Sequence, residues 1–181
     1  MDNLNVYIHA PLIEECRKGN SRAQFRLYNH YSKAMYNLAY RMLNNREDAE
    51  DILQEAFIEC FRNLDSFRFE STFGAWLKKI IINKCINQVK KKKIDLTLCE
   101  NLPPDKYEAE VEAEAEVEYD TGKIFRGIEK LPDGYRIILT LYLLEGYDHS
   151  EISQILGIAE STSKSQYSRA KEKLRNLLST N

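Results

Sequence analysis

Small polar, amide and basic side chains are concentrated in one stretch near the C-terminus, and hydrogen bonding is the chemistry available to them. The stretch contains Thr162, Lys164, Ser165, Gln166, Arg169 and Lys171. Hydroxyl, amide and guanidinium groups of this kind are what base edges and phosphates require. Just upstream, the apolar inner face of a short helix consists of Ile152, Ile155 and Leu156. Gly157, which follows that helix, suits a tight turn. A short helix, a tight turn and a second helix predict a helix-turn-helix that binds DNA.

The phase of the second helix determines which of its side chains can reach DNA. Apolar residues share one face, which must be the buried one: Tyr167, Ala170, Leu174 and Leu177. Ser163 lies on that buried side by angle, so we expect it to hydrogen-bond locally. Gln166 is expected beside the exposed polar face. A solvated helix face in an ordinary bundle is the alternative interpretation.

The whole chain reads as an all-α protein with two small domains. Only seven Gly and four Pro occur in 181 residues, and long stretches lack turn signals. Helices are predicted over eight segments, approximately 11–18, 21–43, 47–64, 73–92, 122–131, 132–145, 148–156 and 161–178. Three of them are expected to have side-chain caps, at Asn20 or Ser21, at Thr72, and at Asp148 with Glu151. In the second of these the apolar positions include Phe25, Leu27, Tyr28, Tyr31, Met35, Leu38 and Met42.

The distribution of charge divides the chain into three segments. Residues 1–93 carry a net +5, residues 94–121 a net −9 and residues 122–181 a net +2, which together give the formal charge of −2. Periodicity collapses in the middle segment, which contains Pro103-Pro104 and an alternation of glutamate with small apolar residues. We therefore predict a domain over 1–93, a flexible or marginally helical acidic linker over 94–121, and a helix-turn-helix domain over 122–181.

Two segments about a hundred residues apart carry a resemblance to a known family. Asp48 to Phe57 opens a helix with a polar face, and His149 to Ile158, continued by Glu160 to Lys173, forms the predicted helix-turn-helix, within which Thr162 to Ala170 is similar to the family's recognition-helix signature. Together they resemble the extracytoplasmic-function (ECF) group of sigma-70 factors of bacterial RNA polymerase. The resemblance covers nearly all of 11–92 as well. It implies a region 2-like helical bundle and a region 4-like helix-turn-helix domain. Two positions depart from the family pattern, Ser163 for a usual valine and Gln166 for a frequent arginine.

The resemblance implies that the polar-faced helix docks on core RNA polymerase. The docking residues would be Glu50, Asp51, Gln54 and Glu55. The residues themselves agree, because a stripe of Leu53, Phe57, Phe61 and Leu64 is the apolar face and leaves these side chains outside. Acidic groups on one exposed face suit a basic helical partner. A merely solvated charged face is the alternative.

The resemblance also implies that the segment after this helix captures and melts the −10 promoter element. Stacking on aromatic side chains returns about 1–3 kcal/mol per unstacked base. The residues assigned to this site are Phe67, Phe69, Asn83, Lys84, Lys78 and Lys79. Phe73 and Trp76 are expected to pack inside the domain. The lysines, continued by Lys90 to Lys93, supply positive charge for DNA.

The expected function is a non-catalytic sigma factor, with the helix-turn-helix reading the −35 element as duplex. In the family the linker threads the polymerase's RNA exit path, so an acidic segment there would imitate RNA, while a spacer without contacts is the alternative. Expected partners are core RNA polymerase, promoter DNA and an anti-sigma factor that is often membrane-bound, with no small-molecule substrate. No phosphate-binding glycine loop or paired-histidine helix occurs in the sequence.

The cysteines and the N-terminal segment bear on metal binding and on cellular location. The spacing of Cys16, Cys60, Cys85 and Cys99 makes zinc improbable and favours reduced core thiols, so no cofactor or metal is expected. The absence of a signal peptide and of a long apolar run favours a cytoplasmic protein. One alternative function is a conventional helix-turn-helix regulator with an N-terminal dimerisation domain. Another is a helical protein that only sequesters a second factor.

Overall fold

The computed structural model describes residues 8–92 and 121–179, and every regular element within these two ranges is helical. The α-helices are α1 (Ala10–Arg17), α2 (Ser21–Leu43), α3 (Arg46–Arg62), α4 (Phe73–Lys91), α5 (Thr121–Glu129), α6 (Asp133–Leu139), α7 (His149–Leu156) and α8 (Glu160–Ser179). A 3₁₀ turn, Leu64–Ser66, follows α3, and a π-helical turn, Thr140–Leu144, follows α6. The chain divides into two compact units, Met1–Lys91 and Lys92–Asn181.

The ends of the helices in the first unit are set by local hydrogen bonds. The Asn20 side chain accepts from the amides of Arg22 and Ala23 at the start of α2. That helix ends at Asn44, whose φ of 50° is left-handed. The Asn45 side chain then accepts from the amide of Asp48 at the start of α3. Asparagine suits both roles, because its short amide caps orphan donors and it tolerates left-handed backbone.

The core of the first unit lies where α2, α3 and α4 pack on one another, with α1 packed on α2. Its fully buried side chains come from each of the four helices described in this unit and include Ile13, Leu27, Leu38, Met42, Ala56, Cys60, Phe73, Leu77, Ile81 and Ile82. Phe25 differs from the prediction, because its side chain is 64% exposed. The apolar stripe of α2 therefore runs through Ala23 and Leu27 and passes beside Phe25.

The second unit is built around α6, which is buried on most sides as its apolar sequence predicts. A core cluster joins three of the four helices described in this unit, and it comprises Ile128, Leu131, Tyr135, Leu139, Ala170 and Leu174. Arg136 is 4% exposed, donates to the carbonyl of Leu131 at 2.9 Å and is paired with Asp133. Such a charge is tolerated inside because it is both hydrogen-bonded and paired.

The all-α fold with two helical domains, predicted from the sequence, is confirmed. The predicted acidic linker over 94–121 lies outside the described residues except for Thr121, which already belongs to α5. The segment predicted as one helix over 132–145 changes instead from α-helix to a π-helical turn at Thr140. There the amide of Glu145 donates to the carbonyl of Thr140 at 3.0 Å.

Three of the four cysteines lie in the described ranges, and all three are buried free thiols: Cys16, Cys60 and Cys85. Burial raises the pKa of Cys60 and of Cys85 to about 12, and the neighbouring Cys16 contributes to the shift at Cys60. Within residues 8–92 and 121–179, no three His, Cys, Asp or Glu side chains are arranged to hold a metal ion.

Candidate protein and nucleic-acid interfaces

The exposed face of α3 carries the four residues assigned to polymerase docking. Glu50, Asp51, Gln54 and Glu55 are all exposed. The opposite face is buried through Ala49, Ile52, Leu53, Ala56, Phe57 and Cys60, so the helix cannot rotate without exposing its core side. Ile58, three residues beyond Glu55, is 52% exposed and extends the same face with an apolar side chain. The sequence analysis did not name Ile58, although it lies four residues after Gln54 and therefore on the same face of the helix.

Lys84 links α4 to this acidic face. Its ammonium lies 3.3 Å from the Glu55 carboxylate and 3.0 Å from the Glu59 carboxylate. Burial by itself lowers the pKa of Lys84, but the hydrogen bonds to Glu59 and Glu55 outweigh it and hold the pKa above its usual value. Lys84 was predicted at the DNA-melting site, and the structure places it instead between α4 and α3.

The two phenylalanines of the loop between α3 and α4 have different environments. Phe67 is 2% exposed, with its ring centroid 5.7 Å from that of Phe73 and 5.3 Å from that of Trp76. Phe67 was assigned to the pocket that holds −10 bases, and its burial corrects that assignment, because exposing the ring so that it could stack on a base would cost about 1.5–3 kcal/mol. Phe69 is half-buried, and its ring centroid lies 4.8 Å from that of Phe67 with the two ring planes tilted by 54°. It has a left-handed backbone with φ 57°.

The remaining residues assigned to the −10 element lie along α4. The hydroxyl of Thr72 accepts from the amide of Ala75 and caps this helix, as predicted. Lys79 and Asn83 are exposed, whereas Lys78 is half-buried. A helix rises about 1.5 Å per residue, so Asn83 lies about 15 Å along the axis from the first residue of α4.

The turn of the helix-turn-helix is built as predicted. The Asp148 side chain accepts from the amide of Glu151, and the Glu151 carboxylate accepts from the amide of Asp148, which forms a capping box at the start of α7. Gly157 ends α7 with φ 72°, a conformation that favours glycine. Ile152 and Leu156 are buried and Ile155 is half-buried.

The phase of α8 agrees with the prediction except at one residue. Ser163, Gln166, Ala170 and Leu174 are buried, at spacings of three, four and four residues. Gln166 is only 1% exposed, so its assignment to the DNA surface is corrected. This spacing keeps it on the same face as Ala170, which faces the core. The other assigned residues, Thr162, Lys164, Ser165, Arg169 and Lys171, are exposed or half-exposed.

An aromatic stack that the sequence did not reveal joins α7 to α8. The ring centroid of Tyr142 lies 4.6 Å from that of His149 and 4.4 Å from that of Tyr167. His149 Nδ1 is also 2.9 Å from the hydroxyl of Ser163, so this serine has a hydrogen-bond partner on the other helix, 14 residues away, and not the local partner that was expected. The Lys171 ammonium lies 4.9 Å from the Tyr167 ring centroid. These contacts fix the angle between the two helices and hold one basic side chain at the edge of the exposed face.

Two family models match the chain in the segments just described. The model of sigma-70 region 2 matches residues 27–94, and the model of sigma-70 region 4 matches residues 122–174. The ECF RNA polymerase sigma factor SigW of Bacillus subtilis is 35% identical over 178 residues, covering 92% of this chain and 94% of the relative. The chain belongs to the ECF sigma factors. The resemblance drawn from the sequence is thereby confirmed.

Other ECF sigma factors are similar over most of their length. The ECF RNA polymerase sigma-E factor of Escherichia coli K12 is 31% identical over 185 residues, covering 91% of each chain. Among solved structures, the sigma factor RpoE in complex with the anti-sigma factor NepR from Bartonella quintana has a TM-score of 0.57 at 22% identity, covering 86% of this chain and 96% of that one. CnrH in complex with the cytosolic domain of CnrY has a TM-score of 0.55 at 21% identity, covering 94% and 96%.

This ECF sigma factor acts in the initiation of transcription, and a conventional helix-turn-helix regulator is not favoured. Sigma factors are not catalytic enzymes in themselves. In the two described ranges, none of the helices combines the length and the apolar character needed to cross a bilayer.

Proposed function

We propose that the two units divide the work of initiation. The first unit binds core RNA polymerase through the exposed face of α3 and holds −10 bases of the separated strand. The second unit binds the −35 element as duplex through α8. The single observation that carries this proposal is the pair of exposed polar faces, one acidic on α3 and one basic on α8, each fixed by a buried face on the same helix.

The α3 face suits a basic helical partner with some apolar surface. Its acidic residues are exposed, and the 52% exposed Ile58 provides an apolar contact beside them. Protein interfaces combine such an apolar centre with a polar rim, and complementary charge speeds association. The proposed docking surface is therefore Glu50, Asp51, Gln54, Glu55 and Ile58.

The −10 strand is proposed to contact the loop before α4 and the exposed side of α4. Phe69 is the ring proposed to stack on a base, and the buried Phe67 ring supports it from the protein side. Asn83 and Lys79, exposed further along, would contact other nucleotides, and the half-buried Lys78 adds positive charge. Lys84 contributes through its ion pairs with the acidic face of α3, so it connects the docking surface with the DNA-binding helix.

The −35 duplex is proposed to contact the N-terminal half of α8. Recognition helices place these residues against base edges in the major groove. Thr162, Ser165 and Arg169 can reach bases, while Lys164 and Lys171 suit phosphates. Lys164 is 59% exposed and lies 2.6 Å from Glu160, one turn earlier, so it is held at the start of the helix.

The chain is also proposed to be cytoplasmic, non-catalytic and controlled by an anti-sigma protein. Support for the last point comes from CnrH and RpoE, whose structures contain CnrY and the anti-sigma factor NepR respectively.

Run-off transcription with purified core RNA polymerase tests the proposal. A promoter selected from a random library by core enzyme plus this protein should give a transcript with a defined start site. The transcript should disappear when either the −10 or the −35 element is replaced. A stable dimer that footprints DNA without polymerase, and gives no transcript, would contradict the proposal. An activity that does not depend on DNA would also contradict the proposal.

A further inference from the structure

Two carbonyl groups of the loop between α3 and α4 accept hydrogen bonds from one arginine on α1. The Leu64 carbonyl lies 3.3 Å from Arg17 Nε and 3.2 Å from Arg17 Nη2. The Phe67 carbonyl accepts from the same Nη2 at 2.5 Å. The guanidinium thus bridges the first residue of the 3₁₀ turn and the residue that follows the turn. Its planar fork can bind two acceptors at fixed angles, which an ammonium cannot do.

The guanidinium of Arg17 is itself held in place. Its Nη1 donates to the Glu14 carboxylate at 2.6 Å, and its Nε lies 3.8 Å from the Asp65 carboxylate. The side chain is 21% exposed. Hydrogen bonds to a charged donor are about twice as strong as neutral ones, and partial burial reduces screening by salt. Arg17 is therefore a rigid connection between α1 and a loop that follows it by about fifty residues.

Arg17 also contacts the residue that has the strained backbone. Its Cζ lies 5.5 Å from the centroid of the Phe69 ring, a cation–π distance. Phe69 has φ 57°, a conformation that phenylalanine rarely adopts and that persists only where its surroundings impose it. Phe67 contacts one side of the ring, and the Arg17 guanidinium adds a second contact. These contacts leave Phe69 only half-buried.

We propose that Arg17 is a positioning residue for promoter recognition: it fixes the loop conformation that presents Phe69, and it thereby sets discrimination among −10 sequences. The inference rests on the proposed function, in which this loop contacts the −10 strand. Arg17 acts through the loop carbonyls and the Phe69 ring and needs no contact with DNA. A residue that only stabilises the domain would affect all promoters equally, whereas a positioning residue changes the ratio between them.

The test compares full-length Arg17→Gln and Arg17→Lys with wild type. Lys18→Gln is the matched control, because Lys18 is the next residue, is exposed and pairs only locally with Glu15 at 2.9 Å. Each protein is combined with core RNA polymerase on promoters that share one −35 element and differ at single −10 positions. Open-complex yield is measured on each promoter. Binding to core enzyme and the thermal unfolding midpoint are measured in parallel.

Arg17→Gln should reduce the ratio between the most and least favoured −10 sequences at least tenfold, while core binding stays within twofold of wild type. Arg17→Lys keeps the charge but loses the fork, so it should lose most of the discrimination as well. Arg17→Lys therefore tests the inference by itself if Arg17→Gln does not fold. Lys18→Gln should match wild type.

Two outcomes separate this inference from the function on which it rests. If a folded Arg17 variant discriminates as well as wild type, the inference is overturned and the proposed function stands. If wild-type protein itself gives equal yields on all −10 sequences, the proposed role of the loop is overturned, and the inference is overturned with it.

Discussion

Charge reversal on α3 tests the proposed docking surface most directly. Asp51 and Gln54 are exposed and three residues apart, so their side chains are neighbours on one face. Replacing both with arginine, as Asp51→Arg with Gln54→Arg, changes the charge of the assigned face from −3 to zero. The buried side of the helix is not altered, so we expect the variant to fold.

The expected effect follows from the size of the charge change. Two unit charges 4 Å apart interact by about 1 kcal/mol in water and by about 4 kcal/mol near a protein surface. Taking the lower figure for each of three charge units gives about 3 kcal/mol. That corresponds to roughly a hundredfold weaker binding to core RNA polymerase. The loss should shrink as salt rises from about 0.1 M towards 1 M, because the screening length falls from about 10 Å to about 3 Å.

The assay is a binding titration of labelled full-length protein with core RNA polymerase at several salt concentrations. The control variant, Glu15→Arg with Asn37→Arg, carries the same charge change on α1 and α2, where both positions are exposed. It should bind within a few-fold of wild type, and both variants should keep equal affinity for −35 duplex. Equal binding of core enzyme by the test and control variants would refute the docking assignment. Equal loss of core binding and DNA binding would refute the division of labour.

Three further predictions concern single side chains. Arg169→Ala should weaken −35 binding by about 1–3 kcal/mol, as measured by duplex titration, and an unchanged affinity would mean that α8 is oriented differently on DNA. Ser163→Ala should lower the local stability around α7 and α8 by about 0.5–1.5 kcal/mol, because it removes the 2.9 Å contact with His149. Hydrogen exchange of the backbone amides of α7 and α8 measures this loss, and unchanged protection of those amides would contradict the prediction. At pH 8 a pKa of about 12 leaves about one thiol in ten thousand as thiolate, so Cys60 and Cys85 should resist a disulfide reagent until the protein unfolds. Peptide mapping of the native protein after treatment with the reagent measures this, and rapid labelling of either cysteine would disprove the prediction.

Local signals in the sequence were sufficient for most helix boundaries. The amide of Asn20, the hydroxyl of Thr72 and the capping box of Asp148 with Glu151 each act within three residues of their own position. The left-handed turn at Gly157 is equally local. Interactions of such short range appear directly as residue types at fixed spacings, so sequence inspection found them.

The two exposed faces were also predictable, because each lies opposite an apolar stripe of regular period. Gln166 shows the limit of that reasoning. It lies near the edge of the predicted stripe, where the helical angle leaves a side chain free to be inside or outside, and the neighbouring helices bury it. Phe25 is different, because it lies about 160° around the helix from both Ala23 and Leu27, so the helical period itself places it outside.

The sequence by itself therefore determined the helices, the two domains and the family, since each follows from local spacing or from similarity along the chain. Only the tertiary structure decided which side chains are available at the interfaces. It paired Lys84 with Glu55 across 29 residues and joined Arg17 to Phe67 across 50. Contacts at such separations depend on how helices pack, and helix packing brings together residues that no sequence pattern places side by side.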